Sequence, residues 1–188
     1  NVALGFQAGY SNYGGYENNF IGYRAGYSNT SGVRNVYVGH QAGYSSNTAT
    51  RNTMVGSSSG YGNISGSYNS LYGHYSGYAA TLGDNNVMLG YYSGYNADNA
   101  SDCVFMGSNS GLNADNSANT ISIGTNSGYN NNAANNLFIG TEAGYSNTTG
   151  TKNVFMGYKA GRSNSSAEKN IFIGNHAGYS TTTQSQNI

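Results

Sequence analysis

Few side chains in this sequence could do chemistry, so their spacing decides what they are for. There are three histidines, His40, His74 and His176, far apart along the chain. A metal centre or an acid–base pair needs such groups close together. The densest carboxylates are Asp98, Asp102 and Asp115. Calcium would want several oxygens from one such group, but the Gly-Gly-x-Gly-x-Asp nonapeptide that supplies them in repeat proteins is absent. Cys103 is the single cysteine, which leaves no disulfide framework. Serine is plentiful, yet no Gly-x-Ser-x-Gly turn sits between a strand and a helix with His and Asp partners. Glycines recur as Gly-x-x-x-Gly, but no helix follows them to cradle a phosphate. The residues therefore predict neither an enzyme nor a cofactor.

Composition narrows the partners. Charged residues make up 7% of the 188, and seven basic residues balance seven acidic ones. Nucleic acid would ask for a basic surface, so it is not expected. No apolar run approaches the roughly 20 residues of a membrane-spanning helix, so membrane insertion is not expected. There are 29 Gly and 19 Tyr, with no Pro and no Trp. The first and last residues fall inside a pattern, which reads as a segment of a longer fibrous protein.

That pattern is a repeat. "NNFIGYRAGYSNTSGVR" (18–34) is followed at once by "NVYVGHQAGYSSNTATR" (35–51). An aliphatic-type residue followed by Gly marks each copy, from Gly5 and Gly22 to Gly157 and Gly174. The step is 17 residues throughout, except for one of 16 between Gly124 and Gly140. A second glycine follows each by four. Eleven copies fill residues 1–186 and a twelfth begins at Asn187, so residues 1–188 read as one continuous domain.

Positions within a copy are numbered as slots from its first residue, Asn in nine of eleven copies; Cys103 and Thr120 are the exceptions. Slot 8 is always Ala or Ser, and slot 10 is Tyr except at Leu112 and Arg162. Two glycines per copy, many Asn and β-branched or aromatic residues all disfavour helix. One copy has too little apolar material to bury by itself, but stacked copies cover each other. The expected fold is all-β: a parallel β-solenoid of eleven coils, about 17 residues each, with two short strands per coil. Coils about 4.8 Å apart would make a rod about 50 Å long.

Alternation along a strand places slots 2 and 4 on one face and slot 3 on the other. The expectation is that slots 2, 4, 8 and 10 point inward. Asn18, Asn35 and their equivalents then form a ladder of side-chain amides, as stacked identical residues do in cross-β structures. Tyr27, Tyr44 and Tyr61 stack within the interior. Slot 3 is left outside, as Phe20, Tyr37, Met54, Leu71, Met88, Phe105, Phe138, Phe155 and Phe172. A bare stripe of that kind is uncommon on a soluble monomer, so this row is expected to be a chain–chain interface; the alternatives are a flattened coil whose own loops bury slot 3 and a binding surface for an apolar partner. A threefold rod would bring three such rows to one axis.

The phrases "NLFIGTEAGYSNTTGTKN" (136–153) and "NVFMGYKAGRSNSSAEKN" (153–170) resemble the Asn-x-Phe-Ile-Gly-Tyr-x-Ala-Gly-Tyr repeats of tail-fibre-like surface proteins of bacteria and phages. More distantly they are similar to the head β-roll of trimeric autotransporter adhesins. Those resemblances imply a left-handed roll and a trimeric, extracellular, cell-surface or virion fibre used for attachment; the expected partner is thus another copy, in a homo-oligomer that is a trimer or, on a separate reading, a filament. In this chain the copy is longer, slot 3 is bulkier and Tyr is more abundant. The leading functional expectation is thus a structural shaft or head of an extracellular fibre. Alternatives are a direct binder of glycan or ice and a self-assembling matrix filament. For glycan or another cell-surface receptor, the candidate contacts are Tyr23, Tyr75, Tyr91 and Tyr92 in the variable slots 6 and 7. The scattered Thr residues argue against the regular Thr row that ice binding would want.

Overall fold

The computed structural model describes residues 1–187. It is all-β, a solenoid of eleven parallel strands in one sheet, each hydrogen-bonded only to its sequence neighbours. The strands are β1 (Val2–Leu4), β2 (Asn19–Ile21), β3 (Val36–Val38), β4 (Thr53–Val55), β5 (Ser70–Tyr72), β6 (Val87–Leu89), β7 (Val104–Met106), β8 (Ile121–Ile123), β9 (Leu137–Ile139), β10 (Val154–Met156) and β11 (Ile171–Ile173). Each holds slots 2 to 4 and pairs slot for slot, as Val36↔Thr53, Tyr37↔Met54 and Val38↔Val55 do between β3 and β4. The short coil keeps this register, with Ile121 opposite Leu137. Its missing residue comes out of the loop after Asn132.

Each coil has one strand, where two were expected. The rest is turn, yet the turns stack as closely as the strands do. Gly26 N–H donates to the Ala42 carbonyl at 3.0 Å, Ser28 to Tyr44 at 3.0 Å and Arg34 to Tyr16 at 3.1 Å. A chain this rich in Gly and Asn need not form a second strand to satisfy its backbone, because identical turns bond to each other along the axis.

Four residues per coil lie at positive φ. Two are the repeated glycines, and Gly56 shows why the first must be Gly. It has φ 137°, and a Cβ there would stand 2.5 Å from the Gly73 carbonyl oxygen of the next coil. The other two, at slots 7 and 17, are not glycine. They include Arg24, Glu142 and Lys159 at slot 7, and Glu17, Arg51 and Lys169 at slot 17. Left-handed backbone costs such residues roughly 1–2 kcal/mol each, and here it turns the longest polar side chains of the repeat away from the axis.

Slot 8 is buried as expected, but for slots 2, 3 and 4 inside and outside are the reverse of the expectation. Slot 3 is the core: Phe20, Tyr37, Met54, Leu71, Met88, Phe105, Phe138 and Phe155 are buried, and Phe172 in the last coil is partly so. Their rings stack from coil to coil, at 5.3 Å for Phe20–Tyr37 and for Phe138–Phe155. These residues therefore cannot be where chains meet. Slots 2 and 4 face outward instead. The second glycine explains the choice. A Cβ on Gly26 would lie 2.7 Å from the Phe20 ring, and one on Gly111 equally close to Phe105. Only a residue without a side chain leaves room for a large slot 3 group inside so narrow a coil. The opposite wall adjusts in the same way. Tyr37, the one tyrosine in the core row, shares its coil with Ser46, at a slot otherwise mostly Asn or Ala. Full burial pushes the Tyr37 phenol up to about 12.

This arrangement separates two neighbouring residues sharply. Phe155→Ala should cost about 3–5 kcal/mol, as large-to-small changes in a closed core do. Val154→Ser, on the outer face, should change stability by less than about 1 kcal/mol. Denaturant unfolding followed by circular dichroism measures both, and the opposite order would invert the assignment of faces.

Candidate interaction surface

The outward side chains of the eleven strands make one apolar strip. Because the strands are parallel and in register, slot 2 stacks on slot 2 and slot 4 on slot 4. Leu4, Ile21, Tyr72, Val87, Leu89, Ile121 and Ile171 are exposed, and Val36, Val38, Met106, Leu137 and Ile139 are partly so. Asn19, Thr53 and Ser70 are the polar breaks in slot 2. The slot 17 row flanks the strip. At one place Asn119, Asn135 and Lys152 from slot 17 form a shallow groove with Ile121, Leu137 and Val154 from slot 2. The expected exposed apolar surface thus exists, but two rows build it and they are not the predicted row.

The tyrosines of slot 10 form a second surface. Tyr27, Tyr44 and Tyr61 are half-buried on the outside of the coils rather than filling the interior. From Tyr10 to Tyr95 six rings stack at 4.9–5.2 Å, nearly parallel. Leu112 interrupts the column, and Tyr129 and Tyr145 resume it at 4.9 Å. In the tenth coil Arg162 replaces the ring. Its guanidinium lies 5.0 Å from the Tyr145 centroid and 5.8 Å from that of Tyr179, and it pairs with Glu142. A planar cation fills a gap between aromatic faces. Rings stacked along the rod cover one another's faces and show mainly their edges to solvent.

Of the four tyrosines marked as glycan contacts, the structure brings three together. Tyr75, Tyr91 and Tyr92 cluster with His74, Tyr78 and Tyr95 in the fifth and sixth coils. Tyr91 is 53% exposed. Desolvation by the surrounding rings pushes the Tyr92 and Tyr95 phenols up. Tyr23 lies elsewhere, stacked between Phe6 and His40. The sequence signal for the cluster was available: slots 6, 7 and 10 are all aromatic in these two coils alone.

The buried asparagines do hold the column, by a different bond from the one expected. Asn35 Oδ1 accepts from the Asn52 backbone N–H at 3.0 Å, one coil on. Its Nδ2 donates to the Ala49 carbonyl at 2.8 Å, near the end of its own coil. Asn18, Asn52 and Asn69 repeat the pair of bonds. One amide thereby closes its coil and joins the next. Between slot 1 side chains, among the described residues, direct amide-to-amide bonds occur only near the end, from Asn170 and Asn187. Thr120 imitates both bonds with its hydroxyl, at 3.3 and 3.4 Å. Cys103 does so poorly, its sulfur 3.6 Å from the Ser117 carbonyl.

The remaining polar groups support loops. Asp84 accepts from the Ser67 N–H at 2.6 Å and Asp98 from Thr81 at 3.1 Å, each tying down the preceding coil. Among the described residues no group of three or more His, Cys, Asp or Glu is placed to hold a metal ion. Five Asn-x-Ser/Thr sequons start at Asn29, Asn63, Asn99, Asn147 and Asn164. All but Asn99 are buried at slot 12, out of reach of a glycosylating enzyme in the folded chain.

Among the described residues no helix is long and apolar enough to cross a membrane. Neither a protein-family model, nor a curated protein, nor a solved structure matches this chain.

Cys103 marks a weak rung that can be mended. Cys103→Asn should stabilise the fold by about 1 kcal/mol, the net worth of a regained hydrogen bond. In the wild type, burial pushes the thiol up to about 11. It should therefore resist iodoacetamide at neutral pH until denaturant opens the coil, which mass spectrometry would follow.

Proposed function

We propose that this chain is a structural element, the shaft or head of an extracellular fibre used for attachment. The observation that carries the proposal is continuity. Backbone bonds join every coil to the next from β1 to β11, and the short coil does not break them. A stack of this kind has no hinge, so it transmits distance and orientation. The resemblance of its phrases to those of tail-fibre-like surface proteins and of adhesin heads supports the same reading. On this reading the protein works outside the cell or on a virion, and its partner is a surface.

A tandem duplication tests it. Joining Gln186 to Asn1 keeps the slot order unbroken. Electron microscopy should then show a straight particle about 100 Å long with unchanged width, twice the eleven-coil length. Two beads on a joint, or a globule, would refute the proposal.

The aromatic cluster of the fifth and sixth coils favours one second reading, direct glycan contact, because sugar rings pack on exposed aromatic groups. Binding on a glycan array that disappears in Tyr91→Ala and Tyr92→Ala, with circular dichroism unchanged, would support it.

A further inference from the structure

We infer that the apolar sheet face is covered by the same face of a second copy, in an antiparallel pair centred on the fourth coil. The inference rests on the fibre reading and adds to it how two rods would lie together.

The sheet face needs a cover of its own shape. It is a long apolar strip with the exposed residues Ile21, Tyr72, Val87 and Leu89 along it, broken in slot 2 by Asn19, Thr53 and Ser70. Flat parallel strands on one copy match flat parallel strands on another, and face-packed sheets sit about 10 Å apart. A twofold axis perpendicular to the rods sets identical patches against each other, which is the commonest arrangement in protein pairs.

Charge at the edge of the strip then selects the register. Slot 17 runs beside slot 2, as the groove at Lys152, Leu137 and Val154 shows, and slot 16 immediately precedes it in the chain. Along this edge Arg34 and Arg51 stand in the second and third coils, Asp84 and Asp102 in the fifth and sixth, and Lys152 in the ninth, all exposed; Glu17 in the first coil pairs with Arg34 at 2.6 Å. An antiparallel pair centred on the sixth coil would set Arg51 against Lys152 and Asp102 against Asp102. Moving the centre to the fourth coil sets Arg34 against Asp102 and Arg51 against Asp84, each twice by symmetry. Centring between the seventh and eighth coils would set Asp102 against Lys152 but bring Asp84 against Glu168, so it gains one opposite-charge pair where the fourth-coil register gains two. Like charges placed opposite each other penalise a register, and opposite charges favour it.

The area is sufficient for a modest interface. Seven overlapping coils span about 34 Å, and the strands with their flanking rows are about 20 Å wide. That gives a footprint of about 700 Å² per copy, close to the roughly 800 Å² per partner of a specific complex.

The fourth coil places Thr53 on the axis, outward in β4. In a Cys103→Asn background, Thr53→Cys should cross-link to itself with a short bis-maleimide, since facing sheets lie beyond the reach of a disulfide. Val87→Cys, in the sixth coil, should cross-link at least tenfold more slowly. Analytical ultracentrifugation of the unmodified chain should show monomer and dimer. Arg51→Glu should raise the dissociation constant at least tenfold, and Arg51→Glu with Asp84→Arg should restore it. A monomer at every concentration, a trimer, or faster cross-linking at Val87→Cys would overturn the inference. A single unpaired rod would still leave the fibre reading intact, because rod length in the tandem duplication is measured independently.

Discussion

Each coil must end close to where it began, one strand spacing along the axis, and a buried asparagine makes it do so. The slot 1 side chain has a carbonyl oxygen and an amide NH2 to place in an apolar interior. Asn35 gives its donor to Ala49 and its acceptor to Asn52. The first bond fixes the circumference of the coil, and the second fixes its rise. Both partners are backbone groups that would otherwise be buried without a bond, at a cost of about 1–3 kcal/mol each. The period is therefore held to the residue through turns that have little other regular structure.

The narrow interior follows from the same closure. A coil pinned this tightly admits one large side chain, and slot 3 supplies it. The facing glycine, the small slot 8 residue and the adjustable slot 12 residue are the walls. Slots 2 and 4 are driven outward by alternation along the strand, so the most β-branched residues of the repeat end up on the surface. The apolar face is thus a consequence of how the core is filled, and its charged border turns it into a surface with a register.

The period, the parallel stacking and the burial of slot 1 are all legible in the sequence, because identical residues recur at a fixed step. The faces were misread because alternation says which slots oppose each other and not which side is inside. Val36 and Val38 look like core beside Tyr37 when a strand is read alone. The deciding fact is that Gly43 lies against the Tyr37 ring, a contact across the coil that no local rule anticipates. The second strand was likewise over-read: alternating residues around slots 8 and 10 suggest one, but positive φ at Gln41 and Gly43 forbids it. Left-handed backbone at residues such as Arg51 leaves no mark on composition. The aromatic cluster was only partly visible, since Tyr78 and Tyr95 belong to a column that reads as structural.

Amide hydrogen exchange resolves the rung-by-rung account. In the wild type the Asn69 N–H, bonded to Asn52 Oδ1 at 2.8 Å, should be among the slowest to exchange. In Asn52→Ala the same amide should lose protection far more than the N–H of Gly60 or Gly77, which bond backbone to backbone. Equal protection of Asn69 in the two proteins would contradict the claim that the buried side chain joins the coils.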